Sequence, residues 1–475
     1  MARNTVNRQD ALLDKLRNGK ELSFGEQIAL TAGLSLPAIL AQLTHIVMGY
    51  ADASMVGRLG AADAASVGLV STSTWLVWGL LSAAATGFTV QIAHTIGAKD
   101  ETGARSIVRH GLAAVLAFSL LLSAVCFSIS PFLPIWLGGG ADIAAGSTRY
   151  FRVFSLALPV FQTCYAAGGM LQCSGNIRLP SMINAAMCGL NVLFNFLLIF
   201  PSRSISMLGM DVPIPGAGLG ITGAALGTAL AEAVGAALML YFLMKKNPVL
   251  RLRKGEKTNP LKQELQKAFR IGLPVALEGV MTGGAYVLST VIIAPLGAVA
   301  IAANSFAVTA EGFCYMPGYG IAIAATTIIG QCVGAGRTNL IGRMSRLIVA
   351  FGVIVMAAGG VLLYACAPVL IGLMTPDAAI RELGTAVLRI EAFAEPMYAA
   401  AIVSGGIFRG AGKTLASSLI NLFSMWAVRL PLMAWLGASH GLRGIWAGMC
   451  IELCFRGSLF LIMLARNIRR KRFTA

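Results

Sequence analysis

The sequence predicts an all-α integral membrane protein with about twelve transmembrane helices arranged as two parallel six-helix repeats. Three observations carry that expectation. Only 12% of the 475 residues are charged and the mean hydropathy is +0.76, about half the charged fraction of roughly 25% in soluble domains. Many separate apolar runs reach the roughly 20 residues that cross a bilayer as a helix, and none alternates in the manner of a barrel strand. The chain also repeats itself: one unchanged offset separates Gly60 from Gly297, Gly97 from Gly334, and Gly175 from Gly412.

The opening stretch, "MARNTVNRQDALLDKLRNGKELSFGEQ", is too long and polar before its first apolar run for a cleavable signal peptide. Residues 1–24 read as a cytoplasmic lead-in, folded as an amphipathic surface helix. Apolar runs then begin near residues 25, 65, 106, 146, 180 and 216 in the first copy, and near 268, 302, 342, 386, 415 and 442 in the second. They give an N-lobe over 25–245, a basic cytoplasmic linker over 246–265, a C-lobe over 266–466 and a basic cytoplasmic tail over 467–475. The segments "IAHTIGAKD" and "IGQCVGAGR" align between copies, as do "LQCSGN" and "FRGAGK". The register breaks where "PSRSISMLGMDVPIPG" lengthens one loop of the first copy. Six is even, so both copies cross in the same sense, related by a pseudo-twofold axis along the membrane normal. Two such lobes rocking about a central cleft form the machinery of alternating access.

The formal charge of +17 does not indicate nucleic acid, because the basic residues crowd alternate connections, the linker and the tail. That asymmetry is the positive-inside pattern, which places both termini in the cytoplasm. The nine cysteines form no C-x-x-C pair and the four histidines are dispersed, so neither a disulfide framework nor a metal centre is expected. Nucleotide, cofactor and metal-catalytic motifs are missing, and the expectation is a transporter with no cofactor, not an enzyme.

Where two copies share a skeleton, their differences at matched positions are informative. Asp52 matches Ser289, and Glu278 matches Ala41. Asp52 lies about eight residues before Gly60, roughly 12 Å below the outer end of the first span at 1.5 Å per residue. A carboxylate in a span costs roughly 2.5–3.5 kcal/mol on insertion scales, and so marks a functional site. Glu278 sits near the cytoplasmic start of the seventh span, where it serves the cleft, reaches cytoplasmic water or pairs with Lys267 or Arg270. Glu311, midway along the eighth, is a further acid for the path or a structural hydrogen-bonder. Glu452 and Arg456 stand four apart and read as a self-neutralising pair, with Arg429 as a packing or interlobe counter-ion. In the fifth span, Asn184, Asn191 and Asn195 recur at spacings of seven and four and so share one face. They act as interhelical glue or, with Asp52 and Thr228, as an all-oxygen site suited to a hard cation or a proton.

These residues resemble the multidrug and toxic compound extrusion (MATE) family, within the multidrug/oligosaccharidyl-lipid/polysaccharide exporter superfamily. The features are Asp52 in "YADASMVGRLG", "GAK" with its counterpart "GQCVGAG", "QCSGNIRLPSMIN", the pair Asn191 and Asn195, "GAGLGITGAALGTALAE" and "FRGAGKT". The similarity runs from about residue 25 to 465 and is nearest to the bacterial DNA-damage-inducible F-like branch, because Glu278 in "LPVALEG" fits that branch. Neither Glu391 nor Glu395 in "EAFAEPMYAA" falls in register with the tenth-helix acid of the other branch.

The resemblance implies a twelve-helix antiporter in the bacterial inner membrane that exports organic, often cationic compounds against H⁺ or Na⁺. It implies ion coupling at Asp52, Asn191 and Asn195, with Thr228 a weaker match. Family members often carry an acid where this chain has Asn195, which favours H⁺. If Na⁺ is the coupling ion, Asp52, Asn191 and Asn195 are its ligands. Phe161, Tyr165, Met170, Tyr315 and Met316 are expected to line the substrate path, with Glu278 and Glu311 as its second acidic site. Small-molecule substrates and the bilayer are the expected partners of a functional monomer. A flippase for lipid-linked saccharides is the alternative and would need several Arg and Lys in the cleft. A membrane-embedded enzyme or a channel is a more distant reading.

Overall fold

Most of the helices start a few residues before the apolar runs, and polar side chains cap three of them. Ser23 caps one: its hydroxyl accepts from the Glu26 N–H at 3.2 Å, while the Glu26 carboxylate accepts from the Ser23 N–H at 3.0 Å, a capping box. Asp100 accepts from the Gly103 N–H at 2.8 Å, and Asp377 from the Ile380 N–H at 3.0 Å. The computed structural model describes residues 2–207, 210–253, 255–256, 258–471 and 473. Met1 of the lead-in, Lys254 and Lys257 of the linker, and Arg472, Thr474 and Ala475 of the tail lie outside the described residues, as do Leu208 and Gly209.

The order is α1 (Ala2–Arg17), α2 (Phe24–Gly57), α3 (Ala61–Gly97), α4 (Glu101–Ile129), the short α5 (Leu133–Trp136), α6 (Ala141–Cys173) and α7 (Arg178–Ile199). A hairpin of β1 (Pro201–Met207) and β2 (Met210–Ala217) follows, antiparallel, with an irregularity between Pro201 and Arg203. It occupies the lengthened loop and delays the sixth span, α8 (Gly220–Tyr241), to residue 220 instead of the expected 216. The second copy holds α9 (Leu261–Ile293), α10 (Ala298–Gly334), α11 (Thr338–Met374), α12 (Ala378–Glu391), α13 (Glu395–Gly410), α14 (Thr414–Phe423) and α15 (Leu430–Arg469).

Among the described residues, ten helical segments are long and apolar enough to cross a membrane. The expected twelve are recovered for two reasons. The tenth span is broken at Ala392–Ala394 into α12 and α13, each too short to qualify alone. The last segment, Thr414–Arg469, has 56 residues, roughly 84 Å at 1.5 Å per residue, and folds back on itself at Gly441. There φ is +59°, a conformation glycine adopts without penalty. The two arms pack so closely that a Cβ on Gly444 would run into the Leu436 carbonyl, and one on Gly448 would meet Leu432 at 3.1 Å.

The lobes meet at the end carrying the basic loops, and the repeat explains how. A side chain on Gly97 (α3) would collide with the Gln331 carbonyl, and one on Gly334 (α10) with the His94 carbonyl. Across the same seam His94 Nε2 lies 2.7 Å from the Gly410 carbonyl oxygen, and Gln331 Nε2 donates to the Cys173 carbonyl at 2.9 Å. The offset that relates the repeated glycines also relates His94 to Gln331 and Cys173 to Gly410. One clasp is thus built twice about the pseudo-twofold axis. Further along, α2 packs on α10, with Tyr50 donating to the Thr309 carbonyl at 2.8 Å and stacking on Phe313. The Cα of Gly79 (α3) lies 3.6 Å from the Cβ position of Gly279 (α9).

The expected surface helix proves to be a plug. Leu12, Leu13 and Leu16 of α1 and Leu22 beyond it are buried in one core with Leu30, Leu34, Ile177, Ile321 and Ile328. Arg17 ties it to both lobes, its Nη2 donating to the Ser174 carbonyl and its Nε to Gln331 Oε1, each at 3.1 Å. Burial pulls the pKa of this guanidinium down, opposed by Asp14 and Asp10. Removing residues 1–22 takes away several buried leucines, each contributing roughly 1.5–3 kcal/mol. The expected result is a melting temperature lowered by several degrees and reaction of the buried Cys173 and Cys332 with thiol reagents. Thermal unfolding and labelling of the truncated protein in detergent check both.

Candidate functional site

Four of the residues expected to act together do meet. α7 presents Asn191 and Asn195 one turn apart toward α2 and α8, and both are fully buried. Asn195 Nδ2 donates to Asp52 Oδ1 at 2.6 Å and lies 3.2 Å from Asn191 Oδ1. Asn191 Nδ2 donates to Thr228 Oγ1 at 3.1 Å, and the Thr228 hydroxyl donates to the Ala224 carbonyl one turn back, also at 3.1 Å. The result is a single chain of hydrogen bonds, Asp52–Asn195–Asn191–Thr228, inside the N-lobe. Asp52 is partly exposed at one end. A hydrogen bond to a carboxylate contributes about 1.5–3 kcal/mol, roughly twice a neutral one, so the Asp52 contact is the strongest link. Asn184 shares the helix face but is not part of the chain.

Asn195 is held oddly. Its Nδ2 serves two acceptors, while its own Oδ1 is buried with no hydrogen-bond partner among the described residues. Gly227 makes room for it, since a Cβ there would strike Asn195 Oδ1. Sequence reasoning did not single out Gly227. Its signal was available in the small-residue run "GITGAALG" of α8, the composition that lets helices approach closely.

The C-lobe acids are arranged differently. Glu278 on α9 accepts from Ser418 Oγ and Asn421 Nδ2, both at 2.6 Å and both from the eleventh span. These neutral partners take the place of the Lys267 or Arg270 considered from sequence. Glu311 on α10 is buried, and Glu395 and Arg429 act on it electrostatically. Glu391 and Glu395 are 0% and 1% exposed, and none of their four carboxylate oxygens has a hydrogen-bond partner among the described residues. Glu452 is gripped from two sides, with Arg456 Nε at 3.0 Å and Arg429 Nε at 3.5 Å, and Ser424 donates to it as well. Arg429 is therefore a counter-ion within the C-lobe and not between lobes. Sequence reasoning did not assign Glu391 and Glu395; the charged groups near Glu391, Glu311 and Arg429 among them, come from other spans. A pair of acids four apart flanking a helix break was their visible mark.

The expected apolar lining divides. Tyr165 is 45% exposed and its hydroxyl lies 2.9 Å from Ser82 Oγ. Tyr315 and Met316 on α10 are half-buried, Tyr315 beside Tyr319 and Tyr398. Phe161 and Met170, however, point into the N-lobe. Phe161 stacks on Trp78 with ring centroids 5.3 Å apart, and Met170 is fully buried among Phe88, Ile107 and Leu171. They fill the core of α3, α4 and α6 and do not line a path. Among the described residues no group of three or more His, Cys, Asp or Glu is arranged to hold a metal ion.

Comparison with known proteins bears on the family and the fold. The MatE family model matches twice, at residues 37–197 and 274–435, once per lobe. A probable multidrug resistance protein NorM of Thermotoga maritima is 26% identical over 443 residues, 92% of each chain. One of the same description from Xanthomonas axonopodis is 24% identical, covering 94% of this chain and 96% of its own. Among solved structures, a multidrug resistance MATE family transporter in its outward-facing conformation superposes with a TM-score of 0.86 at 20% identity, covering 94% and 97% of the two chains. The Vibrio cholerae MATE transporter VcmN in its bent form gives 0.82 at 18% identity, covering 99% and 100%. With the family model matched in both halves and the fold shared end to end, the chain belongs to the MatE family of membrane transporters.

Proposed function

We propose that this protein exports organic, mostly cationic compounds across the bacterial inner membrane in exchange for H⁺. In this reading it works as a monomer with the basic end and both termini in the cytoplasm. The observation that carries the reading is the Asn195–Asp52 hydrogen bond. Relatives described as multidrug resistance proteins support the substrate class.

Asn195 reads the charge on Asp52. An ionised Asp52 accepts from the Asn195 amide nitrogen. A protonated Asp52 presents O–H, which matches the amide oxygen instead, and that oxygen is the atom left unpartnered here. Rotation of one buried amide thus converts a proton into a rearrangement of the contacts between α2 and α7. The same geometry favours H⁺ over Na⁺. The amide nitrogen already bridges the Asp52 and Asn191 oxygens, so Na⁺ on Asp52, Asn191 and Asn195 requires it to swing away.

With the basic clasp closed, this reading has substrate leave toward the far side. Tyr165, Tyr315 and Met316 supply apolar contact, and Glu278 supplies charge near the clasp. Protonation of Asp52 from outside lowers substrate affinity, and release of the proton inside follows the return of the lobes. Purified protein in vesicles, loaded with a fluorescent organic cation and given one ion gradient at a time, tests the reading. A pH gradient is expected to drive dye movement and a Na⁺ gradient alone to leave it at background. Movement under Na⁺ alone overturns H⁺ coupling, and movement under neither overturns the antiporter.

A further inference from the structure

We propose that Arg152 and Arg389 form two matched sites for the phosphodiester of a phospholipid, one on the outside of each lobe at the interface away from the basic end. The motivating observation is a repeat that ion coupling does not explain. Arg152 (α6) and Arg389 (α12) stand at the offset of the internal repeat, and so do the rings they cover, Phe127 (α4) and Tyr364 (α11). The guanidinium carbon lies 5.7 Å from the Phe127 ring centroid in one lobe and 5.1 Å from the Tyr364 centroid in the other. In each case Nε is tied down, by Ser130 Oγ at 3.2 Å or by the Tyr364 carbonyl at 3.3 Å. The halves have diverged at their acids, with Asp52 facing Ser289 across the alignment, yet both retain this arrangement.

Stacking holds the guanidinium plane, and the Nε bond fixes its rotation. Among the described residues the terminal nitrogens of both arginines have no hydrogen-bond or ion-pair partner. What remains free is a planar two-pronged donor, the shape that takes two oxygens of a phosphate. Each ring sits on a helix that starts at the basic end, at Glu101 or Thr338. It stands about seven turns along, which is roughly 39 Å at about 5.4 Å per turn. The hydrocarbon is about 30 Å thick, so both arginines sit at the far headgroup level. An arginine at that level extends its guanidinium to the interface, where lipid phosphates are the available counter-ions.

At Arg389 the surroundings select a lipid over a free ion. Beside Arg389 a groove of about 350 Å³ is lined by Tyr364, Ile390, Phe393, Ala447 and Ile451. Phe393 and Ile451 are 71% and 51% exposed, an apolar wall for an acyl chain hanging below the phosphate. Two such anchors at one level give the lobes fixed points about which the basic end opens.

Native mass spectrometry of the full chain in detergent micelles, titrated with dioleoyl phosphatidylglycerol, tests the sites. Wild type is expected to retain two tightly bound lipids, Arg152→Gln and Arg389→Gln one each, and the double variant neither, with unchanged melting temperatures in lipid-free detergent. Phe127→Leu and Tyr364→Leu, which keep the charge and remove the platform, are expected to weaken the matching site several-fold. Two tight adducts on the double variant overturn the proposal. So does equal binding of dioleoylglycerol, which lacks the phosphate, or of inorganic phosphate, which lacks the chains.

Discussion

Asp52→Asn is expected to abolish ion-driven export while leaving the protein folded. Asparagine has the shape of aspartate, and its Oδ1 still accepts from Asn195 Nδ2 across the 2.6 Å contact seen here. What disappears is the choice between two charge states. Coupling between two ligands typically amounts to about 1–3 kcal/mol, or ~5–150-fold in affinity, and a side chain that cannot bind a proton sets it to zero. Efflux of a fluorescent cation at matched expression should therefore fall to the level of cells lacking the transporter, and dye affinity should stop varying with pH. Asn195→Ala, which leaves Asp52 ionisable and removes its reader, is expected to bind protons and dye without exchanging them. Full gradient-driven efflux by Asp52→Asn would refute the coupling role.

Gly334→Val is expected to prevent closure at the basic end. The atom its side chain would meet is the His94 backbone carbonyl, which cannot step aside as the tip of a flexible side chain can. The lobes must separate, which breaks the His94–Gly410 and Gln331–Cys173 contacts, each worth about 0.5–1.5 kcal/mol, and unseats α1 from between them. Transport should be lost, and Cys173 and Cys332, both buried in the closed state, should become reactive to thiol reagents from the basic side. Gly97→Val attacks the matching contact of the other copy and should do the same. Gly405→Ala is the control, because nothing lies within 4 Å of a Cβ there, and it should transport normally.

The sequence foreshadowed some of this because the relevant physics is periodic. The constant offset that aligned the glycines also turns out to align the clasp, since Gly97, Gly334, His94 and Gln331 face one another across the pseudo-twofold axis. Spacings of seven and four put Asn191 and Asn195 on one helix face, and that face is the one turned to Asp52 and Thr228. Other features depend on which spans become neighbours, which periodicity does not encode. The leucines of α1 mark an apolar stripe, but a stripe at a membrane surface and one inserted between lobes read alike. Phe161 and Met170 lie on a helix whose rotation is set by packing against α3 and α4, so their apolar character fitted a core as well as a path. Arg429 finds Glu452 only because the last two spans fold back at Gly441. The strands at Pro201–Ala217 interrupt a chain that is otherwise helical, within a loop that the repeat marked only as extra.

The most direct test concerns the link between the Asp52 carboxylate and the clasp. Spin labels at Thr102 and Asn339, exposed and matched at the basic ends of the two lobes, in a background lacking Cys173, Cys332, Cys366, Cys450 and Cys454, report the distance between lobes by double electron–electron resonance. Wild type is expected to redistribute between a short and a long distance when the pH changes from 5 to 8, and Asp52→Asn to hold one distribution at both. An equal redistribution in Asp52→Asn, or none in wild type, would contradict a proton switch at that residue.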